Sequence, residues 1–569
     1  MAAEVPEFDA GSWEPGAVTE PLVVIVTAFV VIAAATLVGP RLRIAAPLVL
    51  VAIGVAASFL PVFGAAHIEP EWILEGVLPP LLYSSAVSMP SMNFRREFGA
   101  ISGLSVVLVV ASALLLGLFF SLVVPGLGFA WGVALGAIVS PTDAVATSIV
   151  KQTAVSKRVV AMLDGESLLN DATALVLLRT AIVATASTFS FWGSVGTFAY
   201  SVVGALVVGG LVGWLNLVVR KRVTDPAVNT VLSFTVPFLA SVPAEHLGAS
   251  GLVAAVVAGL VTGIRAPRDL SPQNRLSDSQ NWRTVELVLE GAVFLTMGLQ
   301  IKSIVANVQQ DHAGVGTSVL VATGALALTV LVRAAYIAPL LGFLRRRGRR
   351  REESRDRVLD LHERLSTPEG YQEVQSRRRR VSERQLDRFA VRITRMVADI
   401  DYFLRQPLGW RDGVAVVWAG MRGAVTVAAA QTLPDDTPQR SVLVLIAFAV
   451  AMLSLLVQGG TIGPLLGLIA PDVDRTTADE QATAERTRIV DLLKTSAESV
   501  AEPPHPNGDP TPETYAVTKR HRLDVIAAQR SVLLDARDNG TFDADVLANA
   551  LANLDAAQIT LEMRGGPAA

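Results

Sequence analysis

The sequence predicts an all-α integral membrane protein with about thirteen transmembrane helices and a helical cytoplasmic tail. Of its 569 residues, 51% are hydrophobic and only 17% are charged, which is more apolar than is usual for a soluble chain of this length. The apolar residues form blocks of about 20, the number that crosses a ~30 Å hydrocarbon core as an α-helix. Basic residues concentrate in alternate loops between these blocks, a pattern typical of multi-span membrane proteins.

Thirteen apolar blocks, separated by charged residues or by Pro and Gly, are the predicted spans. In chain order they are 21–40, 44–63, 72–92, 99–124, 129–151, 160–186, 194–219, 226–242, 249–264, 284–301, 316–343, 410–432 and 441–469. Spans eight and nine are short, and only the sequence PAEHLGA separates them. Without one of them the basic loops would no longer alternate, so we expect an odd number of spans.

The distribution of basic residues also predicts the orientation of the chain. Fourteen Lys and Arg residues lie in one set of short loops, whereas the alternate loops contain only Lys302 and Arg440. Basic loops are retained in the cytoplasm. We therefore expect a plasma-membrane protein with its N-terminus outside and its C-terminus inside the cell. No basic residue precedes the first apolar block, which argues against a cleavable secretory signal.

These observations predict five regions. They are an extracellular N-terminal segment (1–20), spans one to eleven (21–343), a charged cytoplasmic insert (344–409), spans twelve and thirteen (410–470) and a cytoplasmic helical tail (471–569).

The insert and the tail leave alternatives open. The insert contains an apolar stripe with coiled-coil-like spacing, which an amphipathic helix on the membrane or on the tail would also show; its members are Leu386, Phe389, Ile393, Met396, Ile400 and Phe403. The tail has helical patterns on both sides of a proline-rich linker, 503–512. It is expected to be a regulatory or dimer-stabilising module, or a loosely ordered hydrophilic tail.

Composition and motifs narrow the classes of function. The chain has no cysteine, which excludes disulfides and cysteine-based metal or redox sites. The six histidines fall in predicted loops, the insert or the tail, and no hydrolase, phosphate-loop or zinc motif is present. We therefore expect neither an enzyme nor a bound cofactor, and no nucleic-acid partner.

Span five contains a helix break next to a carboxylate. Its sequence is WGVALGAIVSPTDAVATSIV, in which Pro141 removes a backbone donor and clashes with the preceding turn. Irregular backbone at membrane depth is tolerated only where it faces protein or lines a cavity. Asp143 follows this break directly, and a carboxylate beside free backbone and hydroxyl oxygens predicts a cation site.

Span six carries its own carboxylates within LDGESLLNDATALVLL, residues 163–178. Glu166 and Asn170 are four residues apart and share one stripe of the helix, whereas Ser167 and Asp171 share the neighbouring stripe. One stripe can offer oxygens to an ion while the other pairs with a base. Asp164, near the predicted cytoplasmic end, has an equally plausible structural role.

Two arginines within predicted spans are candidate partners for these carboxylates. Arg333 lies in span eleven and Arg422 in span twelve. A buried arginine without a partner is very unfavourable, so each should lie near a carboxylate or exposed carbonyls. Glu166 is therefore expected to be an ion-pair member rather than an ion ligand. Glu286 and Glu290 in span ten are expected to line a vestibule or an interface.

The motifs VSPTDAVA and DGESLLNDATALV, the arginine of span eleven and MRGAV in span twelve together resemble the sodium/proton antiporters of cation/proton antiporter family one. This family includes the bacterial NhaP-type exchangers and the mammalian plasma-membrane sodium/proton exchangers. The resemblance covers roughly residues 20–470. It implies an antiporter fold with inverted six-helix repeats, in which broken helices five and twelve cross in a core beside a dimerisation domain. It therefore also implies a homodimer.

The resemblance also implies roles for individual residues. The ion-binding positions would be Asp171, Asp143, Ser167 and the Thr142 carbonyl, with Na⁺ at Asp171 and Asp143. The supporting network would be Glu166 paired with Arg333, together with Asn170 and Arg422. Many relatives have a glutamate in span three after LPPLLF, where this chain reads LPPLLYSSAV with Ser84 and Ser85. This difference leaves the preference for Na⁺ or K⁺ open.

These features predict secondary active exchange of Na⁺ (or Li⁺) for H⁺. Burial and mutual repulsion disfavour ionisation of both Asp171 and Asp143, so either a proton or a Na⁺ ion neutralises the pair, and the two compete. Relatives with asparagine at the position of Asn170 exchange one Na⁺ for one H⁺, which implies an electroneutral cycle. A K⁺/H⁺ antiporter on the same scaffold and a cation channel are the alternatives, although a channel would need a continuous polar pore.

Overall fold

The computed structural model describes residues 16–564 except 43–44, 61–68, 152, 154, 187–190, 312–313, 368, 370–371, 373–381, 470–474 and 504–511. The predicted N-terminal segment and the proline-rich linker lie largely outside the described residues. Within the described ranges all the regular elements are helices. The all-α class predicted from the sequence is therefore confirmed.

The first six predicted spans correspond to the following helices. They are α1 (Gly16–Leu42), α2 (Ala46–Ser58), a π-helical turn (Trp72–Val77) continuing into α3 (Leu78–Ser88), α4 (Ser91–Ser102) continuing through a π-helical turn (Gly103–Leu108) into α5 (Val109–Val123), α6 (Phe129–Val139) with α7 (Val145–Val150), and α8 (Lys157–Ala186).

Spans seven to thirteen and the polar regions follow. Their helices are α9 (Phe191–Arg220), α10 (Pro226–His246), α11 (Gly251–Asp269), α12 (Pro272–Leu299), α13 (Ile301–Gln310), α14 (Val315–Glu353), α15 (Arg355–Ser366), α16 (Glu383–Arg405), α17 (Trp410–Trp418), α18 (Ala424–Gln431), α19 (Arg440–Ser454) continuing through a π-helical turn (Leu455–Gly459) into α20 (Gly460–Ile469), α21 (Arg475–Glu498), α22 (Pro512–Asn539) and α23 (Ala544–Met563).

Nine helical runs among the described residues are long and apolar enough to cross a membrane, and Ala46–Ser58 and Phe129–Val139 are shorter apolar helices. Spans two, three, five and twelve do not reach this length and hydropathy because their helices are short or interrupted. The number thirteen therefore stays a prediction.

Several helices extend beyond the predicted spans. Span ten was predicted to begin at residue 284, but α12 begins at Pro272, where the Ser271 hydroxyl accepts a hydrogen bond from the Asn274 amide at 3.3 Å. Span four was predicted from residue 99, but α4 begins at Ser91. Hydropathy marks the part of a helix that faces lipid, whereas caps decide where the helix itself begins.

The buried apolar residues form separate clusters that divide the membrane region. The largest cluster lies mostly in spans four, five, six, eleven, twelve and thirteen, which we call the core bundle, and it also includes residues of spans one, two, three and ten. A second cluster joins span three to spans seven to ten, which we call the second bundle. Small residues allow close packing in the core bundle, since a Cβ on Gly132 or Gly136 would collide with span-four backbone at Gly117 or Ala113.

The insert and the tail pack onto this membrane region as helices. Leu386, Ile393 and Ile400 of the predicted stripe are buried on α16, which packs against α14, α15 and α22. The insert helix therefore contacts both the membrane region and the tail. The tail helices α21, α22 and α23 share a small apolar core of their own, which includes Leu533 and Phe542.

Candidate ion-binding site

The predicted break in span five separates two half-helices. Helix α6 ends at Val139 and α7 begins at Val145, with Pro141 in the irregular segment between them. Asp143 lies just before the start of α7, and its Oδ1 accepts a hydrogen bond from the Val145 amide at 3.1 Å. A carboxylate at this place satisfies a free N–H of the helix and interacts favourably with its dipole.

Span twelve is broken in the same way, and the two breaks touch. Helix α17 ends at Trp418 and α18 begins at Ala424, and the amide of Asp143 donates to the Met421 carbonyl at 2.7 Å. Gly423 makes this approach possible, because a Cβ there would collide with the Asp143 carboxylate. The chain therefore needs glycine at this position.

Arg422 donates hydrogen bonds to backbone carbonyls that have no helical partner at the two breaks. Its Nε donates to the carbonyl of Val139, the last residue of α6, at 2.9 Å, and its Nη1 donates to the Gly420 carbonyl. Its backbone amide donates to the Ser454 hydroxyl at 2.8 Å. A cation at the C-terminal ends of two half-helices is favoured by both helix dipoles. Arg422 thus contacts carbonyls, one of the two surroundings expected for it.

A cavity of about 90 Å³ lies beside the crossing. Its walls include all four residues predicted to bind the ion, which are Asp171, Asp143, Ser167 and Thr142. The Ser167 hydroxyl donates to the Asp164 carbonyl at 3.1 Å, so its oxygen lone pairs remain available to a ligand. The cavity has room for a largely dehydrated monovalent ion rather than for an organic substrate.

The other stripe of span six faces span eleven. Glu166 is 1% exposed and Arg333 is 2% exposed. Arg333 donates from Nη1 to Glu166 Oε1 and from Nη2 to Glu166 Oε2, the second bond at 2.8 Å. Its Nε donates to the Val416 carbonyl of α17 at 2.8 Å. The pair is bidentate and buried, and it joins spans six, eleven and twelve.

Thr142 and Asn170 connect this ion pair to the cavity. The Thr142 hydroxyl donates to Glu166 Oε1 at 3.2 Å, and Asn170 Nδ2 donates to that hydroxyl at 2.6 Å and to the Thr142 carbonyl at 3.2 Å. The carbonyl that was predicted to bind the ion therefore already accepts one hydrogen bond, and its second lone pair remains.

Two cavity residues were not assigned to the site from the sequence. Glu290 of span ten is a third carboxylate in the cavity wall, and Thr426 of α18 also lines it. The Thr426 hydroxyl is buried and has no hydrogen-bond partner among the described residues. A carboxylate within an apolar span is itself a signal of function, but hydropathy does not show which helix face meets span five.

Three other ionisable or polar candidates, Asp164, Glu286 and Ser84, do not line the cavity. Asp164 forms an ion pair with Lys151 at 3.0 Å, and Glu286 accepts a hydrogen bond from Ser84 at 3.4 Å. Ser85 lines the cavity. Within the described ranges no three Asp, Glu, His or Cys side chains are arranged to hold a metal ion. Asp143, Asp171 and Glu290 thus line one cavity without converging on a single point.

Known proteins are similar in sequence to this chain along most of its length. A chain of Mycobacterium tuberculosis described as an uncharacterized Na⁺/H⁺ exchanger is 26% identical over 574 residues, which covers 95% of this chain and 96% of that protein. The Na⁺/H⁺ antiporter ApNhaP of Aphanothece halophytica is 26% identical over 468 residues and covers 81% of this chain and 76% of its own length.

A solved structure shows the same fold. The sodium proton antiporter MjNhaP1 of Methanocaldococcus jannaschii matches with a TM-score of 0.54 and 16% identity, over 79% of this chain and 100% of that chain. The model of the family described as "Sodium/hydrogen exchanger, transmembrane" matches residues 25–366 and 387–467. Together with the crossing of two broken helices beside buried carboxylates, this match shows that the chain belongs to the transmembrane sodium/hydrogen exchanger family.

Proposed function

We propose that this protein exchanges Na⁺ (or Li⁺) for H⁺ across the plasma membrane, one for one, by alternating access. The observation that carries the proposal is the small cavity in which Asp143 and Asp171 meet at the crossing of two broken helices. Such a crossing places carboxylate, hydroxyl and carbonyl oxygens within the bilayer without exposing irregular backbone to lipid.

In this mechanism Asp171 and Asp143 carry the charge that the substrate neutralises. Ser167 and the free lone pair of the Thr142 carbonyl supply neutral oxygens that replace part of the ion's water shell. A single H⁺ compensates one negative charge of this pair, as a single Na⁺ does, so the two ions compete for the same carboxylates and exclude one another. The empty site stays charged, and moving it through the low-dielectric interior is unfavourable. The core bundle therefore moves only when it is loaded, and exchange is obligatory.

The remaining polar residues position the site. Glu166 and Arg333 neutralise each other within the core bundle, and Asn170 holds Thr142 in place. Asn170 adds no charge to the cavity, which supports an electroneutral cycle. Such a cycle takes nothing from the membrane potential, which is otherwise worth ~2.3 kcal/mol per charge per 100 mV.

The proposal also includes the orientation of the chain in the membrane. The N-terminal segment is extracellular, whereas the insert and the tail are cytoplasmic. Ion pairs support the placement of the insert and the tail on the same side of the membrane. Arg96 binds Asp399 of the insert, and Lys157 and Arg268 bind carboxylates of the tail. All three basic residues belong to loops that the positive-inside rule assigns to the cytoplasm. We propose a homodimer surrounded by lipid as the working form.

Reconstituted protein tests this function. Proteoliposomes with an internal pH dye should show proton movement on addition of Na⁺ or Li⁺, with K⁺ as the comparison ion. Clamping the membrane potential at different values should leave the rate unchanged if exchange is one for one.

Asp171→Asn is the matching variant. It should abolish Na⁺-driven proton movement, because the site then lacks the carboxylate that H⁺ and Na⁺ share. Its size-exclusion profile and melting temperature should remain those of a folded membrane protein. Robust Na⁺-driven exchange by this variant would contradict the proposed site.

A further inference from the structure

A second, larger cavity of about 850 Å³ lies between the start of span four, the last turns of α14 and the insert helix α16. Several of its charged residues already pair with one another. Arg96 donates to Asp399 at 2.7 Å, and Arg158 donates to Glu97 at 2.6 Å. The Arg158 guanidinium also lies 4.6 Å from the ring centroid of Phe403. These contacts fix α16 against spans four and six and form one wall of the cavity.

Three further arginines line this cavity without a protein partner. Arg347 and Arg350 lie three residues apart on α14, so they share one face, and Arg392 faces them from α16. None of these side chains has an ion pair or hydrogen bond in the part of the chain that the structure describes. The acidic residues of the wall, Glu97 and Asp399, are already paired with other arginines. The cavity is therefore lined by three arginines that have no acidic partner among the described residues.

Next to these arginines the cavity has an apolar wall that continues towards the membrane region, since Phe343 lies one turn from Arg347 on α14 and Met396 lies one turn from Arg392 on α16. Phe98 is 52% exposed and lies where span four enters the membrane, and Phe343, at the end of predicted span eleven, is 60% exposed. Met396 of α16 completes this wall and is 42% exposed. A soluble anion would leave these side chains in water. A ligand with a charged head and hydrocarbon chains would cover both walls.

We propose that this cavity binds an anionic phospholipid from the leaflet that faces the insert. The phosphate lies among Arg347, Arg350 and Arg392, whose planar guanidinium groups match phosphate oxygens. The acyl chains lie against Phe98 and Phe343. Basic pockets beside membrane-spanning helices are suited to such headgroups. The lipid then connects span eleven to the insert helix, and through it to span four.

Lipid binding to the purified full-length protein tests this site. Native mass spectrometry or a lipid-dependent melting shift would compare phosphatidylglycerol with phosphatidylcholine. The variant Arg347→Gln/Arg350→Gln removes two arginines of the cavity. The control Arg346→Gln/Arg349→Gln removes two exposed arginines of the same helix that do not line it.

We expect the wild type and the control pair to prefer phosphatidylglycerol over phosphatidylcholine. The cavity pair should bind phosphatidylglycerol about thirtyfold more weakly, because each basic residue near an anionic headgroup contributes about fivefold. Arg392→Gln should also weaken binding. None of these changes touches the ion cavity, so the result does not depend on transport.

Three results would overturn the proposal. One is equal binding of the two lipids by the wild-type protein. Another is the same loss of binding in both arginine pairs, which would indicate a diffuse effect of net charge. The third is displacement of the lipid by equimolar inorganic phosphate or glycerol 3-phosphate, which would show that the cavity takes a free anion and that the apolar wall contributes nothing.

Discussion

Neighbouring residues of span six have different surroundings. Asp171 lines the ion cavity, whereas Glu166, on the adjacent stripe, is paired with Arg333. Both are carboxylates. Each successive residue of an α-helix is rotated by about 100° around its axis, so the two side chains point towards different neighbouring helices. A bidentate guanidinium satisfies Glu166 fully, so Glu166 has no need of an ion. Asp171 has no basic partner among the described residues, which is why we propose that a transported cation fills that role.

Glu290 is the residue for which the structure makes the sharpest new prediction about transport. It lines the same cavity as Asp143 and Asp171, so in its ionised form it should help to attract the cation. Glu290→Gln should raise the apparent KM for Na⁺ roughly three- to tenfold, the ~1 kcal/mol scale of one charge–charge interaction in a hydrated site. Initial rates in proteoliposomes over a range of Na⁺ concentrations measure this change.

Glu286→Gln is the matched control for that experiment. Glu286 lies one turn away on α12 and contacts Ser84 rather than the cavity. Its removal should leave the KM for Na⁺ within about twofold of the wild type, because Glu286 does not line the cavity. A KM that rises equally in both variants would argue that the effect comes from the net charge of span ten.

At the scale of elements, the two broken helices are held together mainly by backbone groups and buried ion pairs. The Met421 carbonyl accepts from Asp143, Arg422 caps the carbonyl end of α6, and Arg333 reaches both span six and α17. These contacts connect helices that are far apart in the sequence. A broken helix at membrane depth is stable only when neighbouring elements satisfy its free polar groups.

The pairing of Glu166 with Arg333 has a measurable energetic consequence. Glu166→Gln or Arg333→Gln alone leaves an uncompensated buried charge, which should cost ~3–5 kcal/mol and lower the melting temperature. The double variant should recover part of that loss. Thermal unfolding of the four proteins in detergent makes the comparison, and strictly additive shifts would contradict a direct energetic coupling.

At the scale of the whole molecule, the tail connects the two bundles. Lys157, at the start of the helix that carries Asp171, lies 2.9 Å from Asp543 and 2.7 Å from Asp545. Arg268, near the end of α11, lies 2.9 Å from Asp535 and 2.7 Å from Asp538. In the alternating-access mechanism that we propose, the core bundle moves relative to the second bundle. A tail bound to both should restrain that movement.

A chain ending at residue 474 tests the role of the tail. We expect it to insert and to exchange ions, but with a shifted pH profile or a weaker form of the proposed dimer, because the proposed ion site lies entirely within the membrane region. Exchange rates at several pH values and light scattering of the purified protein measure both effects. Complete loss of exchange in a correctly inserted truncation would mean that the tail is part of the transport machinery.

Charge variants separate docking of the tail from its presence. Asp535→Asn/Asp538→Asn removes carboxylates that bind Arg268 and should reproduce part of the truncation effect. Asp491→Asn/Glu498→Gln removes two exposed tail carboxylates that form no ion pair with the membrane region within the described residues. The difference in exchange between these two double variants should shrink at high ionic strength, since exposed ion pairs are worth ~0–1 kcal/mol and are screened by salt.

The sequence by itself determined the class of the protein, the break at Pro141 and the two polar stripes of span six. Apolar block length, the missing donor of proline and the period of 3.6 residues are local properties, so they can be read without a fold. It also indicated that Arg333 and Arg422 needed buried partners, because an unpaired cation within a membrane is unfavourable at any position.

Only the tertiary structure decided which groups Arg333 and Arg422 contact and which further residues line the ion cavity. Glu290 comes from span ten and Thr426 from span twelve, and both reach the cavity through the packing of helices that are distant in the chain. The early start of α12 and the docking of the tail on Lys157 and Arg268 were likewise hidden. Hydropathy reports where a helix meets lipid, but the partner of each polar side chain depends on how helices rotate and cross, and that is set by packing over the whole molecule.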